Sequence, residues 1–534
     1  MVGFNGSERV STVYGKVKGD KCQASGTIRW LGIPYALPPV GKLRWRAPQE
    51  PAAWDGSRDA LHYGNICTQG VEGAVVGGED CLYLNIWRPD HAQTGLPVLV
   101  FAHGGGNLGG SGQDLAAEAL ARETDSVVVS LNYRLGAFGF FRHPALRTGD
   151  PLDDSGNYGL LDLLCALRYV QANIRAFGGD PERVTLGGHS AGARNVLAAC
   201  LSPLGRGLFR QAVVLSGGMT TADPRLGDER SEQVMRKLRV RSGEARDEQA
   251  AADWLAAQPA ERIADWLRSL SADCFAGVYE SSPIHMGEFP QLFTDGYVLP
   301  AGGFNRLAAG GYAQVPLLIG STAAEFALFG LSIMAAAGLP AERPKGLYEQ
   351  ALSYSNALYG SFNAEQPAER LAAVPGQPPV YAYRFRWGSD AAVTDGVYGL
   401  PIGAFHGIDM MFYTGDETVI EAPYRDGYLT ATGKSGRAAL TALLRGYLKR
   451  FLHSGNPNGA GLPRWDSWQA DTAGGPAILE LDADEQKASA RMSAQLRKRE
   501  AIVAELEADA GLTAQQRDWL RDVFWTGRFF WRDE

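Results

Sequence analysis

Gly188-His189-Ser190-Ala191-Gly192 stands between the apolar run RVTLGG and the alanine-rich stretch ARNVLAACL. A serine between two glycines at a strand–turn–helix junction is accommodated by few folds. So tight a turn forces strained dihedrals on the serine, and side chains at the flanking positions would collide with the strand and helix. Its hydroxyl is then presented at the carboxyl edge of a sheet, beside helix-end amides that favour developing negative charge. G-x-S-x-G is weak by itself; its flanks make it specific.

Around this turn, short apolar runs alternate with helical patterns. The runs are Leu96–Ala102 (LPVLVFA), Ser126–Arg134 (SVVVSLNYR), Val315–Gly320 (VPLLIG) and Val380–Phe385 (VYAYRF). Helical patterns separate them, the longest from Leu160 to Ala176. The prediction is an α/β fold, a mostly parallel central sheet covered by helices on both faces. At 534 residues several domains would fit, but no repeat or low-complexity tract divides the chain. One catalytic unit over 1–534 is expected. Helical excursions at 221–290 and 327–371 would wall a pocket. Charged-faced helices are expected over 435–534, from SGRAALTALLRGYLKRFL and DEQKASARMSAQLRKREAIVAELEA.

Composition narrows the function classes. Apolar residues make up 45% and charged residues 21%, which is globular and not disordered. The net charge of −8, with no Lys/Arg stripe, argues against a nucleic-acid partner. The start MVGFNGSERV lacks the apolar stretch of a secretory leader, so a cytoplasmic enzyme is expected, or a secreted one if a leader was removed. The 14 uncharged residues Phe326–Leu339 are too few for a membrane span and read as a buried or pocket-lining helix. The six cysteines form no CxxC or Cys/His cluster, so no metal site is expected. Cys67 and Cys81 flank a short Gly-rich loop and are either a disulfide or two reduced thiols.

His103-Gly104-Gly105-Gly106 follows the apolar run at 96–102, where bare backbone lets amide N–H groups aim, with that of Ala191, at a tetrahedral oxyanion. A phosphate loop would need a Gly-Lys-Ser/Thr ending, which is missing. A serine nucleophile requires an imidazole base oriented by a carboxylate, here in the order Ser, acid, His. His406 in AFHGIDMMF follows the run at 380–385 in a Gly-flanked loop; His285 precedes the expected acid, and His453 reads as a helix end. For the acid, Glu325 closes VPLLIGSTAAE; Asp295 and Asp409 are its rivals.

These residues lie within a longer pattern. WLGIPYALPPVGKLRWRAPQ (Trp30–Gln49), EDCLYLNIW (Glu79–Trp87), HGGGNLGGSG, NYRLGAFGF (Asn132–Phe140), GNYGLLD, AFGGDPERVTLGGHSAGA, DGYVLP, GSTAAEF, FHGIDMMF and SGNPNG occur in this order. Together they resemble the type-B carboxylesterase/cholinesterase family of the α/β-hydrolase superfamily, nearly end to end. The resemblance implies a Ser–Glu–His triad on Ser190, Glu325 and His406, acting on small-molecule esters without metal or cofactor. It implies oxyanion donors at Gly105, Gly106 and Ala191, a loop disulfide Cys67–Cys81, and a supporting hydroxyl at Ser216. Two positions depart from the family. His189 stands where glutamate is usual, and Asn107 stands where an aromatic usually follows the glycines, which predicts a more polar pocket wall. Amide, carbamate or polyester-fragment hydrolysis shares the same triad. An interfacial lipase and a non-catalytic interaction protein are the remaining alternatives.

Overall fold

The computed structural model describes every residue except 1–3, 5, 72–73, 276–277, 280–288, 337–344, 389–392, 395–401, 421–424, 426, 470–474, 476 and 526–534. His285 and parts of the stretches 221–290, 327–371 and 435–534 therefore lie outside the described residues.

The strand Leu96–Ala102 shows how the molecule is layered. Leu96, Val98, Val100 and Ala102 belong to one buried cluster, while Leu99 and Phe101 belong to another. With a side-chain period of two, a run apolar at every position must be covered on both faces. Helices Tyr158–Asn173 and Ala191–Leu201 cover the first face. Helices Ala117–Thr124, Ile408–Thr414 and Lys434–Ser454 cover the second.

Among the described residues, the main sheet has eleven strands. Its centre is parallel, running in space from Val127–Leu131 through Leu96–Ala102, Gly179–His189, Gln211–Leu215, Leu317–Thr322 and Val380–Phe385 to Ile478–Ala483. Antiparallel strands finish both edges. The carboxyl ends of 96–102, 179–189, 211–215 and 317–322 thus lie along one rim, where a site is built in open α/β sheets.

Among the described residues, helices Pro224–Arg241, Glu248–Ala257 and Ala260–Ser269 lie in the first excursion and Ala327–Ala336, Lys345–Gly360 and Gln366–Ala372 in the second. The C-terminal reading needs correction. Within 435–534, Ile478–Ala483 and Ala488–Ser493 form an antiparallel hairpin, and the next helix is Arg499–Ala508. Asp484 nucleates the turn by accepting from the N–H groups of Gln486 and Lys487 at 2.8 and 2.7 Å. Ala488, Ala490 and Met492 pack inward on the second cluster. This period-two pattern is hidden in an Ala/Glu/Arg-rich composition that favours helix.

Candidate active site

Ser190 precedes the helix Ala191–Leu201 with φ 55° and ψ −120°, a left-handed conformation unusual for a non-glycine residue. Its N–H donates to the carbonyl of Leu215 at 2.8 Å, which ties the turn to the neighbouring strand. A Cβ on Gly192 would lie 2.2 Å from the Ala102 carbonyl oxygen, and one on Gly188 would lie 2.6 Å from the Gly192 carbonyl carbon. Both glycines are therefore obligatory for strand, turn and helix to close this tightly.

Glu325 lies just beyond Leu317–Thr322 and is fully buried. Its Oε1 accepts from the Thr322 N–H at 2.9 Å, and its Oε2 meets Nδ1 of His406. The loop carrying His406 is held beside it by the bridge of Ala324 with Phe405. Among the described residues, the rings of His189, Phe329 and Tyr359 lie 4.9, 5.4 and 6.1 Å from the His406 imidazole between centroids. Since His189 is the residue before Ser190, this imidazole stands at the serine turn. Its Nε2 is buried and makes no hydrogen bond, so the contact with Ser190 is not closed in the structure.

The loop after Leu96–Ala102 folds over the serine. A Cβ on Gly104 would lie 3.2 Å from that of Ser190, and one on Gly105 would lie 2.2 Å from the Gly109 carbonyl oxygen. Gly105 and Gly106 both take positive φ, at 96° and 68°. Ala191 is the first residue of its helix, so its N–H has no intrahelical acceptor. Ser216 has φ 53° and lies against the Ser190 turn, since a Cβ on Gly217 would be 2.7 Å from the Ser190 carbonyl oxygen. Its hydroxyl is buried and bonded neither to His406 nor to Glu325.

His189 is held neutral. Burial, then the neighbouring His406 and Arg194, push its pKa well below the ordinary imidazole value. The expectation for Asn107 needs correction: it is fully buried, and its carboxamide bonds to Asn195 and Gln291 instead of lining the pocket wall. Asn195, Gln291, Phe329 and Tyr359 carried no motif in the sequence. Phe329 and Tyr359 come from the second excursion, Asn195 from the helix that follows Ser190, and Gln291 from the chain just beyond the first excursion.

The rival groups have other partners. Asp295 accepts from the N–H groups of Tyr297, Val298 and Leu299 at 3.1, 3.0 and 3.0 Å and so shapes a turn. Asp409 accepts from the Tyr383 hydroxyl at 2.7 Å. The ring of His453, in the last turn of Lys434–Ser454, lies 3.0 Å from the carbonyl of Thr124. Cys67 and Cys81 have their Sγ atoms at bonding distance. Among the described residues, no group of three His, Cys, Asp or Glu side chains could hold a metal, and no helix is long and apolar enough to cross a membrane.

A family model described as the carboxylesterase family matches residues 6–351. The chain belongs to that family. This carboxylesterase is 34% identical over 402 residues to the para-nitrobenzyl esterase of Bacillus subtilis, covering 71% of this chain and 78% of that protein. It is 32% identical over 508 residues to the pyrethroid hydrolase Ces2a of Mus musculus, with 85% of each chain covered. Among solved structures it is similar to a PNB esterase, with a TM-score of 0.71 and 28% identity over 93% of this chain and 99% of that one. A carboxylesterase of Geobacillus stearothermophilus gives 0.69 and 28% over 91% and 98%. The fold is that of the α/β-hydrolases, and the carboxylesterase is a hydrolase of carboxylic esters.

Proposed function

We propose that this carboxylesterase cleaves small-molecule carboxylic esters through an acyl-enzyme on Ser190. The Ser190 oxygen attacks the ester carbonyl, and its proton passes to Nε2 of His406. The N–H groups of Gly105, Gly106 and Ala191 take the oxyanion. Collapse expels the alcohol, which leaves with the proton from His406. Water then attacks the acyl group, yields its proton to the same imidazole, and the acid departs as Ser190 recovers its hydrogen. Glu325 holds Nδ1–H throughout, so Nε2 remains the basic nitrogen. Protein groups supply every role, and no metal or cofactor enters.

The observation that carries this reading is the buried contact of His406 Nδ1 with Glu325 Oε2, on an imidazole packed against the residue preceding Ser190. The test is a panel of aryl and alkyl esters, amides and carbamates with wild type and Ser190→Ala. Ester turnover should vanish in the variant while its thermal melt stays unchanged. Substantial residual turnover would remove Ser190 from the reaction. Amide or carbamate turnover matching that of esters would widen the substrate class.

A further inference from the structure

The loop bearing Gly105 and Gly106 is fastened by side chains that the reaction itself does not use. Asn107 and Asn195 pair reciprocally: Asn195 Nδ2 donates to Asn107 Oδ1 at 2.9 Å, and Asn107 Nδ2 donates to Asn195 Oδ1 at 3.2 Å. Asn107 Nδ2 also donates to Gln291 Oε1, and Gln291 Nε2 returns to the Gly106 carbonyl at 3.3 Å. The backbone carbonyl of Asn107 accepts from Gly136 N–H at 2.7 Å. All three carboxamides belong to residues with 0% exposure. Asn107 itself sits at φ 61°, a left-handed position that asparagine tolerates better than most residues.

Three buried carboxamides are a hazard unless every hydrogen bond is made, whereas aliphatic side chains would fill the same space without that hazard. A fully bonded polar network has one benefit that packing alone lacks: it fixes a single geometry. The geometry fixed here is specific. Asn195 is part of the helix whose first residue is Ala191, and Gln291 grips the peptide that follows the Gly106 N–H. The clasp therefore joins the two halves of the oxyanion cradle.

We propose that Asn107, Asn195 and Gln291 are positioning residues that lock the Gly105–Gly106 loop to the nucleophile helix, so that N–H donors from both converge on one point. This rests on the reading of Gly105, Gly106 and Ala191 as oxyanion donors. Donors of this kind act only when preorganised, and displacement by about 1 Å costs on the order of 100-fold in rate.

The test compares Asn195→Leu and Gln291→Met with wild type and Ser190→Ala. The readouts are kcat and KM on an aryl ester, the melting temperature, and the Ki of a phenylboronic acid, which adds to the Ser190 hydroxyl as a tetrahedral anion. Asn195→Leu should lower kcat about 10- to 100-fold with KM nearly constant, and weaken the boronate by the same factor. Gln291→Met, which cuts the long bond to the Gly106 carbonyl and one of the Asn107 bonds but leaves the Asn107–Asn195 pair, should shift both in the same direction by less. A lowered melt with kcat and boronate affinity unchanged would reduce the clasp to a structural element and overturn the proposal. If Asn195→Leu does not fold, Gln291→Met carries the same decision. Turnover surviving Ser190→Ala would be a different failure, that of the triad reading itself.

Discussion

The imidazoles of His189 and His406 lie 4.9 Å apart, tilted by 39°. His189 also faces the backbone of Gly104 and Gly407 and the charge of Arg194. Neutral as it is, it offers the His406 ring, the base of the proposed mechanism, bulk without a counter-charge. A carboxylate at this spot would favour the protonated ring, which cannot act as base. His189→Glu should therefore move the acid limb of the kcat/KM profile upward by about one pH unit, while His189→Gln should leave it in place. Equal displacement in both variants, or none in the glutamate variant, would show that charge at position 189 does not reach His406.

Asp409 makes a second pH-dependent prediction, this time of stability. Burial is the main cause raising its carboxyl from 3.8 to about 6, with the charge of Glu325 adding; the Tyr383 hydroxyl and His406 pull the other way. A raised carboxyl means that the fold prefers the protonated form. Its contribution is present in full below the unfolded value near 4 and is lost as pH rises through 6. The loss is on the order of 3 kcal/mol at neutrality. Asp409→Asn keeps an acceptor for Tyr383 and cannot ionise. Its melting temperature should exceed that of wild type at pH 8 and match it near pH 4. A gain of the same size at both pH values would mean that ionisation is not the cause.

How much of this was legible beforehand depended on whether a residue's role is set locally. Ser190 and its glycines were readable because the strand–turn–helix constraint lies within one short stretch of chain. Glu325 and His406 were readable because each closes a recognisable apolar strand or its following loop. Asn107 was misjudged because its partners, Asn195 and Gln291, are 88 and 184 residues away and no local pattern announces them. The hairpin of 478–493 was missed for a related reason: edge-strand alternation over six residues is outweighed by helix-favouring composition unless the neighbouring strand is known.

A buried ion pair anchors the turn on which Asn107 rests. Arg134 donates through Nε and Nη2 to Asp162 at 2.8 and 2.7 Å, and the Arg134 N–H adds a third bond at 3.0 Å. Their side chains are 3% and 0% exposed, so neither charge has water as an alternative. Removing one partner strands the other, at a cost of about 3–5 kcal/mol. Asp162→Ala should therefore lower the urea midpoint sharply, whereas Arg225→Ala, which removes an exposed pair with Asp223 and leaves Asp223 as the cap of its helix, should barely change it. Similar midpoints for the two variants would count against this ranking.

Glu325→Gln separates orientation from mere packing. The amide is nearly isosteric, and its oxygen can still accept from the Thr322 N–H where Oε1 does now. That bond leaves the NH₂ group facing His406, where the carboxylate oxygen stands in the wild type. An NH₂ group can only donate, so Nδ1 must become the acceptor and the ring proton moves to Nε2. Nε2, the base of the proposed mechanism, then has no lone pair with which to take a proton. kcat should fall about 10⁴-fold, as expected for a triad locked in the wrong tautomer, with little change in the melt. Glu325→Asp, which keeps the charge but shortens the reach, should fall less. A glutamine variant retaining more than a tenth of wild-type kcat would show that the carboxylate does not set the tautomer of His406.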